Sequence, residues 1–396
     1  MKKNILIKYF LIIFPIIIFG CQSEEIKAPV ITTEFNTNLD NLIRDYKTYE
    51  VSNEDDYNLK KIDLDRTFDN PWAIEFINDD ELIITEKNGN LTYVDLNTNT
   101  TKSIENEIPS VQVGQGGLLD VLINEDFLYV SFSMKNENNN FTTAIGRGKL
   151  IDDYSKLSDF EILFEALPYY KETVHFGSRI IIDENYLYAS IGERGKGNVA
   201  QELDSHAGSI IRINLDGSIP ENPYKGQTEL DEIYMMGVRN PQGMAIDKDG
   251  NLHISNHGAK GGDFIGKIES GGNYGWNNIG WGGENYWGTS IGSGEKFSEE
   301  YNLPILSWVP SIAPSDLILY EGKEFSEWEE DILVTSLKYK LLIKLSLEKG
   351  VIAKEEIIFK DKIGRLRDID INSLGEIFII TDENNSHIWK LSSSYK

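Results

Sequence analysis

Cysteine is almost absent from this 396-residue chain: Cys21 is the only one, so no internal disulfide can form. Histidine is scarce as well, with five in all, and none stands with carboxylates at the clustered spacing that a zinc site requires. Positive charge is in short supply, with 38 Lys and Arg against 64 Asp and Glu for a net charge of −26. That balance is the reverse of what neutralises phosphates and excludes a nucleic-acid partner. It would also repel an anionic lipid surface unless a covalent anchor held the chain there. Beyond residue 58 no amphipathic helical period exceeds ten residues. The chain does have 40% apolar residues, 11% aromatics and 34 glycines. That is the composition of a globular protein long enough to hold together by burial alone.

The one long apolar run is at the start. Lys2 and Lys3 precede Ile5 to Phe19, and Gly20 closes the run, which is the layout of a secretory signal over residues 1–20. The next residue, Cys21, in Ile18-Phe19-Gly20-Cys21, resembles the bacterial lipobox, whose thiol is acylated. The expectation is an exported bacterial lipoprotein held to a membrane through Cys21 alone and facing the periplasm or the cell surface. Residues 21–57 are acidic, rich in Asn and Thr and without clear periodicity. They read as a tether.

From about residue 58 to 396 one short strand pattern returns six times. It is seen as Leu82-Ile-Ile-Thr, Leu128-Tyr-Val-Ser, Leu187-Tyr-Ala-Ser, Leu252-His-Ile-Ser, Ile332-Leu-Val-Thr and Ile377-Phe-Ile-Ile-Thr, with starts 46, 59, 65, 80 and 45 residues apart. A propeller blade takes roughly 40–50 residues, so the spacings predict an all-β, six-bladed β-propeller with loop insertions. The longest insertion, Gly271 to Trp308, carries Trp276, Trp281, Tyr286 and Trp287 and reads as a binding loop on a rigid scaffold.

Polar motifs gather at the predicted strand ends. Gly114-Gln115-Gly-Gly enters the second blade, His175-Phe-Gly-Ser-Arg179 the third, Arg239-Asn240-Pro-Gln-Gly243 the fourth and Arg365-Leu-Arg367-Asp368 the sixth. Asn256-His257-Gly258-Ala259 and Ser336-Leu337-Lys338 end repeated strands. The entry of a first strand and the end of its antiparallel neighbour share one side of a propeller, so these motifs converge on one rim. Arg239, Lys338, Arg365 and Arg367 brought together there favour an anionic ligand, and guanidinium forks suit carboxylates. His175, at the mouth beside small residues, is the candidate base, since a neutral imidazole can accept an alcohol proton. His206 and His257 lie within motifs, and His253 and His387 read as structural.

In order, these motifs from about Asn70 to Leu391 resemble the glucose/sorbosone dehydrogenase family of quinoproteins, and within it the soluble aldose sugar dehydrogenases. Pro71-Trp72-Ala73, Asp216-Gly-Ser-Ile-Pro220, Asn222-Pro223 and Asn273-Tyr-Gly-Trp276 complete the set. The resemblance implies an enzyme that oxidises an aldose at C1 to the lactone with pyrroloquinoline quinone (PQQ) and calcium, passing electrons to an external acceptor. It implies His175 as proton acceptor, with Arg239 and calcium stabilising the negative charge that develops on the quinone oxygen. Gln115, Arg239, Asn240, Tyr286, Ser336, Leu337, Lys338, Arg365 and Arg367 would contact the quinone. Gly258 and Ala259 would hold calcium by their carbonyls, and Tyr274 is a further metal-site position. The pattern departs at Asn256, where the family has Glu, at Phe264, where an acidic ligand of a second calcium is usual, and at Val174, where glucose-specific members carry an acid. A propeller that binds glycan or protein on the cell envelope without turnover is the competing reading.

Overall fold

The computed structural model describes residues 41–348 and 351–394. Cys21, the signal segment and the first half of the expected tether lie outside them. The described chain forms six sheets, each built on four antiparallel strands, arranged as blades in a ring. The innermost strands are Pro71–Phe76, Leu118–Asn124, Gly177–Asp183, Pro241–Ile246, Pro314–Leu319 and Leu366–Ile371. Each packs on the next, and the sixth packs on the first, which closes the ring. Among the described residues no helix is long and apolar enough to cross a membrane.

The recurring sequence pattern is the second strand of every blade: Glu81–Glu86, Phe127–Lys135, Tyr186–Ile191, Leu252–Asn256, Ile332–Ser336 and Ile377–Thr381. Such a strand lies between two neighbouring blades, so both its faces are buried and its sequence is nearly all apolar. The pleat then divides its side chains. Leu82 and Ile84 pack with Phe378 and Ile380 of blade six, while Ile83 packs with Leu118 and Val130 of blade two. All three are fully buried. At about 1.5–3 kcal/mol for each buried Leu or Ile, these contacts glue one blade to the next.

In all six blades the pairing of first and second strands slips by a bulge at the start of the first strand. Bulges re-aim side chains and end pairing. Here they release the residues that enter each blade from the sheet and turn them to the rim.

The tether expectation is corrected over residues 41–57. Ile43–Arg44 adds a parallel strand to Leu306–Trp308 of blade four, and Glu50–Val51 does the same on Val351–Lys360 of blade five. Tyr46 and Tyr49 are buried between those blades. Tyr57–Lys61 is the outer strand of blade six, paired antiparallel with Trp389–Ser393. Strand edges supply unpaired backbone groups that a polar segment can satisfy, which is why acidic composition did not keep this stretch off the body.

Candidate active site

His175 stands at the entry to blade three with φ of 52°, a left-handed conformation that is uncommon for a residue with a side chain. Its neighbours fix it there. The backbone N–H of His175 donates to the side-chain oxygen of Gln115 at 2.7 Å, and a Cβ at Gly192 would collide with the His175 carbonyl. The ring Nδ1 lies 2.8 Å from a Glu193 carboxylate oxygen. That bond sets the tautomer: Nδ1–H donates, and Nε2 keeps its lone pair. Burial lowers the His175 pKa below its ordinary value, Arg239 adds to the effect and the bond to Glu193 opposes it. Burial would raise Glu193, but His175 and then Arg239 outweigh it and hold the carboxylate below its ordinary range. The result is a neutral imidazole backed by an ionised carboxylate.

Arg239, buried, reaches Glu193 at 3.7 Å and the Tyr286 hydroxyl at 3.3 Å. Its guanidinium lies over the Trp276 ring at 5.3 Å and over the Tyr286 ring at 5.8 Å. The side-chain oxygen of Asn240 accepts from Gly177 N–H at 3.0 Å, joining blades three and four. Arg365 is exposed and Arg367 buried, yet they share Asp382 at 3.4 and 3.6 Å. Lys87 reaches the same carboxylate at 2.7 Å. Burial opposes ionisation of Asp382, but Arg367 and then Lys87 hold it well below the usual carboxylate range. Lys338 is exposed, with its ammonium 5.1 Å from the Tyr339 ring. Ser336 bonds the Ile312 carbonyl, and Leu337 accepts from Arg365 at 3.5 Å. Five cations thus face three carboxylates, Asp382, Glu193 and Glu383, the last accepting from the Arg365 N–H at 3.2 Å, so positive charge is in excess on a strongly acidic chain.

The rim fits a planar tricarboxylate such as PQQ. Beyond the excess of positive charge, Nε of Arg367 and the indole nitrogen of Trp276 are buried without a hydrogen-bond partner among the described residues. Both are donors, and buried donors are costly to leave unpaired. Gly258 and Ala259 fit a hard cation by their chemistry. Both residues are buried, and their N–H groups bond Asp263 and the Gly261 carbonyl, while among the described residues their own carbonyls accept no hydrogen bond. Carbonyl oxygens of that kind suit calcium.

Tyr274 is placed elsewhere. Its hydroxyl bonds Lys267 N–H and carbonyl at 2.6 and 2.8 Å, at the far end of strand Asp263–Lys267 from the Gly258 loop, and its carbonyl accepts from Trp281. Phe264 packs on it at 4.7 Å, so the place where the family has an acid is core. Among the described residues no group of three His, Cys, Asp or Glu could hold a metal. The long insertion divides likewise: Trp281 and Trp308 are core, whereas Tyr286 and Trp287 are 65% and 93% exposed. His257 donates to the Pro314 carbonyl at 2.7 Å and is structural, as is His206, whose Nδ1 accepts from Leu167 N–H. A cavity of about 270 Å³ at the opposite end of the inner strands is lined by Met244, Ile246, Leu319 and Ile371. Its one charged lining residue is Glu321, with no cation and no histidine beside it.

Sequence reasoning missed Glu193, Lys87 and Asp382 as site residues. Each stands one or two residues past the end of a second strand, as Lys338 does, and reading that place in every blade would have found them. It also left Arg179 without a role. From blade three Arg179 meets Asp120 at 2.8 Å, Asp316 at 3.2 Å, Asp368 at 2.5 Å and the Gln242 carbonyl at 2.8 Å. Its guanidinium also covers Trp72 at 4.6 Å. It therefore touches every other blade directly beneath the rim.

A propeller whose rim joins a carboxylate-backed histidine to an excess of cations is the frame of a sugar-oxidising quinoprotein. The chain belongs to the glucose/sorbosone dehydrogenase family, whose model matches residues 68–390. It is 33% identical to the aldose sugar dehydrogenase YliI of Escherichia coli K12 over 341 residues, 83% of this chain and 91% of that protein. It is 26% identical to quinoprotein glucose dehydrogenase B of Acinetobacter calcoaceticus, over 79% of this chain and 83% of that one. The apo-form crystal structure of the soluble E. coli aldose sugar dehydrogenase superposes with a TM-score of 0.78 at 29% identity, covering 85% of this chain and 99% of that chain. The PQQ-bound aldose sugar dehydrogenase of Streptomyces coelicolor shares the fold at a TM-score of 0.70 and 22% identity, over 86% of this chain and all of that one.

Proposed function

We propose that this protein oxidises the C1 hydroxyl of an aldose to the lactone, with PQQ as electron acceptor and His175 as base. The observation that carries the reading is the His175–Glu193 pair beside Arg239. Nε2 of His175 takes the hydroxyl proton as C1 loses a hydride, and Glu193 steadies the imidazolium that results. Arg239 places positive charge where negative charge develops. Arg365, Arg367, Lys338 and Lys87 would hold the quinone carboxylates, with Gln115, Asn240, Tyr286, Ser336 and Leu337 lining the seat. Gly258 and Ala259 would hold calcium. When bound, PQQ supplies the hydride acceptor and passes two electrons on to an external acceptor. Val174, where glucose-specific members carry an acid, supports a broader aldose preference.

The test is dye reduction by purified protein given PQQ and calcium, with glucose, galactose, xylose and maltose. Reduction with at least one sugar is expected. A quinone-loaded protein that reduces dye with none contradicts the proposal, and sugar binding without turnover would favour the non-catalytic envelope propeller. The proposed address is an exported lipoprotein anchored through Cys21. Cys21→Ser should leave the precursor uncleaved or release the protein from membranes. Wild type and variant equally membrane-bound, with the signal retained in both, would show an uncleaved anchor instead.

A further inference from the structure

Residues 41–51 lie outside the propeller pattern, yet they are tied to the supports of two rim loops. The carbonyls of Leu42 and Arg44 accept from Ser307 and Val309 at 2.8 and 2.9 Å. The Tyr49 hydroxyl accepts from the Trp308 indole at 2.8 Å. Arg44 pairs with Glu355 of blade five at 2.6 Å. The segment thus straps blade four to blade five along residues 306–309.

Residues 308–313 support the rim in turn. The Trp308 carbonyl accepts from Gly262 at 2.8 Å, in the loop that carries Gly258 and Ala259. The carbonyls of Ala313 and Ile312 accept from Leu337 and Lys338 at 3.0 and 3.3 Å. Asp263 knots the two loops together, accepting from Gly258 on one oxygen and from Ser311, Ile312 and Ala313 on the other. The strap also touches the second loop by its own side chain. Tyr46 packs on Tyr339 at 4.5 Å between centroids, and the Lys338 ammonium lies 5.1 Å from the same Tyr339 ring. Tyr339 N–H in turn donates to Ser336 Oγ at 3.3 Å.

We infer that Tyr46 is a positioning residue: by backing Tyr339, the strap sets Ser336-Leu337-Lys338 in the conformation that receives the anionic cofactor. The segment between the expected lipid anchor and the propeller is then a working part of the site rather than a spacer. A flexible lysine loses rotamer freedom on binding, and an aromatic ring that limits its range beforehand reduces that loss. The identity of the ligand as PQQ rests on the proposed function; the positioning itself does not.

The test uses the full chain with Tyr46→Leu, which keeps apolar bulk but removes the ring, and Tyr46→Phe, which keeps the ring. In cofactor-free protein, Tyr46→Leu should speed amide hydrogen exchange at Leu337, Lys338 and Tyr339 about tenfold or more. Amides of blades one to three should be unchanged. PQQ titration followed by absorbance should show affinity weakened about tenfold in Tyr46→Leu and restored within twofold in Tyr46→Phe. A lower melting temperature with uniformly faster exchange and unchanged quinone affinity of the folded fraction would overturn the inference. So would local exchange at those three amides matching wild type. Wild-type protein that fails to bind PQQ would refute the proposed function instead, and the exchange result would still decide the role of Tyr46.

Discussion

Among single residues, one hydrogen bond fixes the tautomer of His175. Glu193 fixes the proton on Nδ1 of His175 and leaves Nε2 free to accept. As the proposed base, His175 would work only when neutral, and burial holds its pKa below the ordinary 6.5. Activity as kcat/KM should therefore persist as pH falls to that value and be lost on the acid side of it. The Glu193 bond raises the His175 pKa against burial, so Glu193→Gln should move the acid limb further down in pH. It should also lower the plateau by about 10–100-fold through lost alignment. A pH–rate profile checks both, and a limb that stays in place or moves up would show that Glu193 does not act through His175. His175 itself was legible in the sequence, because it opens a strand at a mouth lined by small residues. Glu193 was not, because one acid among 64 Asp and Glu carries no mark of its own.

At the scale of strands and loops, the second strand of each blade was readable because burial on both faces leaves it apolar and self-similar. An outer strand such as Thr100–Ser103 is largely exposed and carries little signal, while Ile233–Met236 and Leu306–Trp308 are covered but only four and three residues long, too short to show a period. Ile43–Arg44 and Glu50–Val51 are two residues each, too short for any period, and their acidic setting pointed away from the body. In the proposed function the loop ends hold the cofactor. Lys338 leaves blade five and Arg365 enters blade six, and each would make a charge-assisted contact to a quinone carboxylate. Replacing either by Ala removes a contact of about 1.5–3 kcal/mol gross, so PQQ affinity should fall roughly tenfold to a hundredfold. Absorbance titration measures it, and unchanged affinity in both variants would mean that these ends do not form the seat.

At the scale of the whole molecule, the ring concentrates charge against its own composition. A chain of net −26 gathers cations at one rim, a result of topology that no count of residues displays. Beneath them Arg179 meets carboxylates from blades two, five and six. Burial pushes Asp120 up to about 7 against the pull of Arg179, so the hub tolerates these acids only with the guanidinium in place. Arg179→Met should destabilise the fold by about 3–5 kcal/mol, since removing one partner strands buried charge. A melting temperature close to wild type would show that the hub does not join the blades. The rim above the hub supports the central claim, that this propeller is a sugar-oxidising enzyme with His175 as its base. Its most direct test is turnover per PQQ-loaded molecule of His175→Ala against wild type, alongside the melting temperature of each. Retained quinone binding and an unchanged melting temperature are expected, with kcat lower by about 10²–10⁴-fold. A loss of tenfold or less in the loaded variant would contradict the claim.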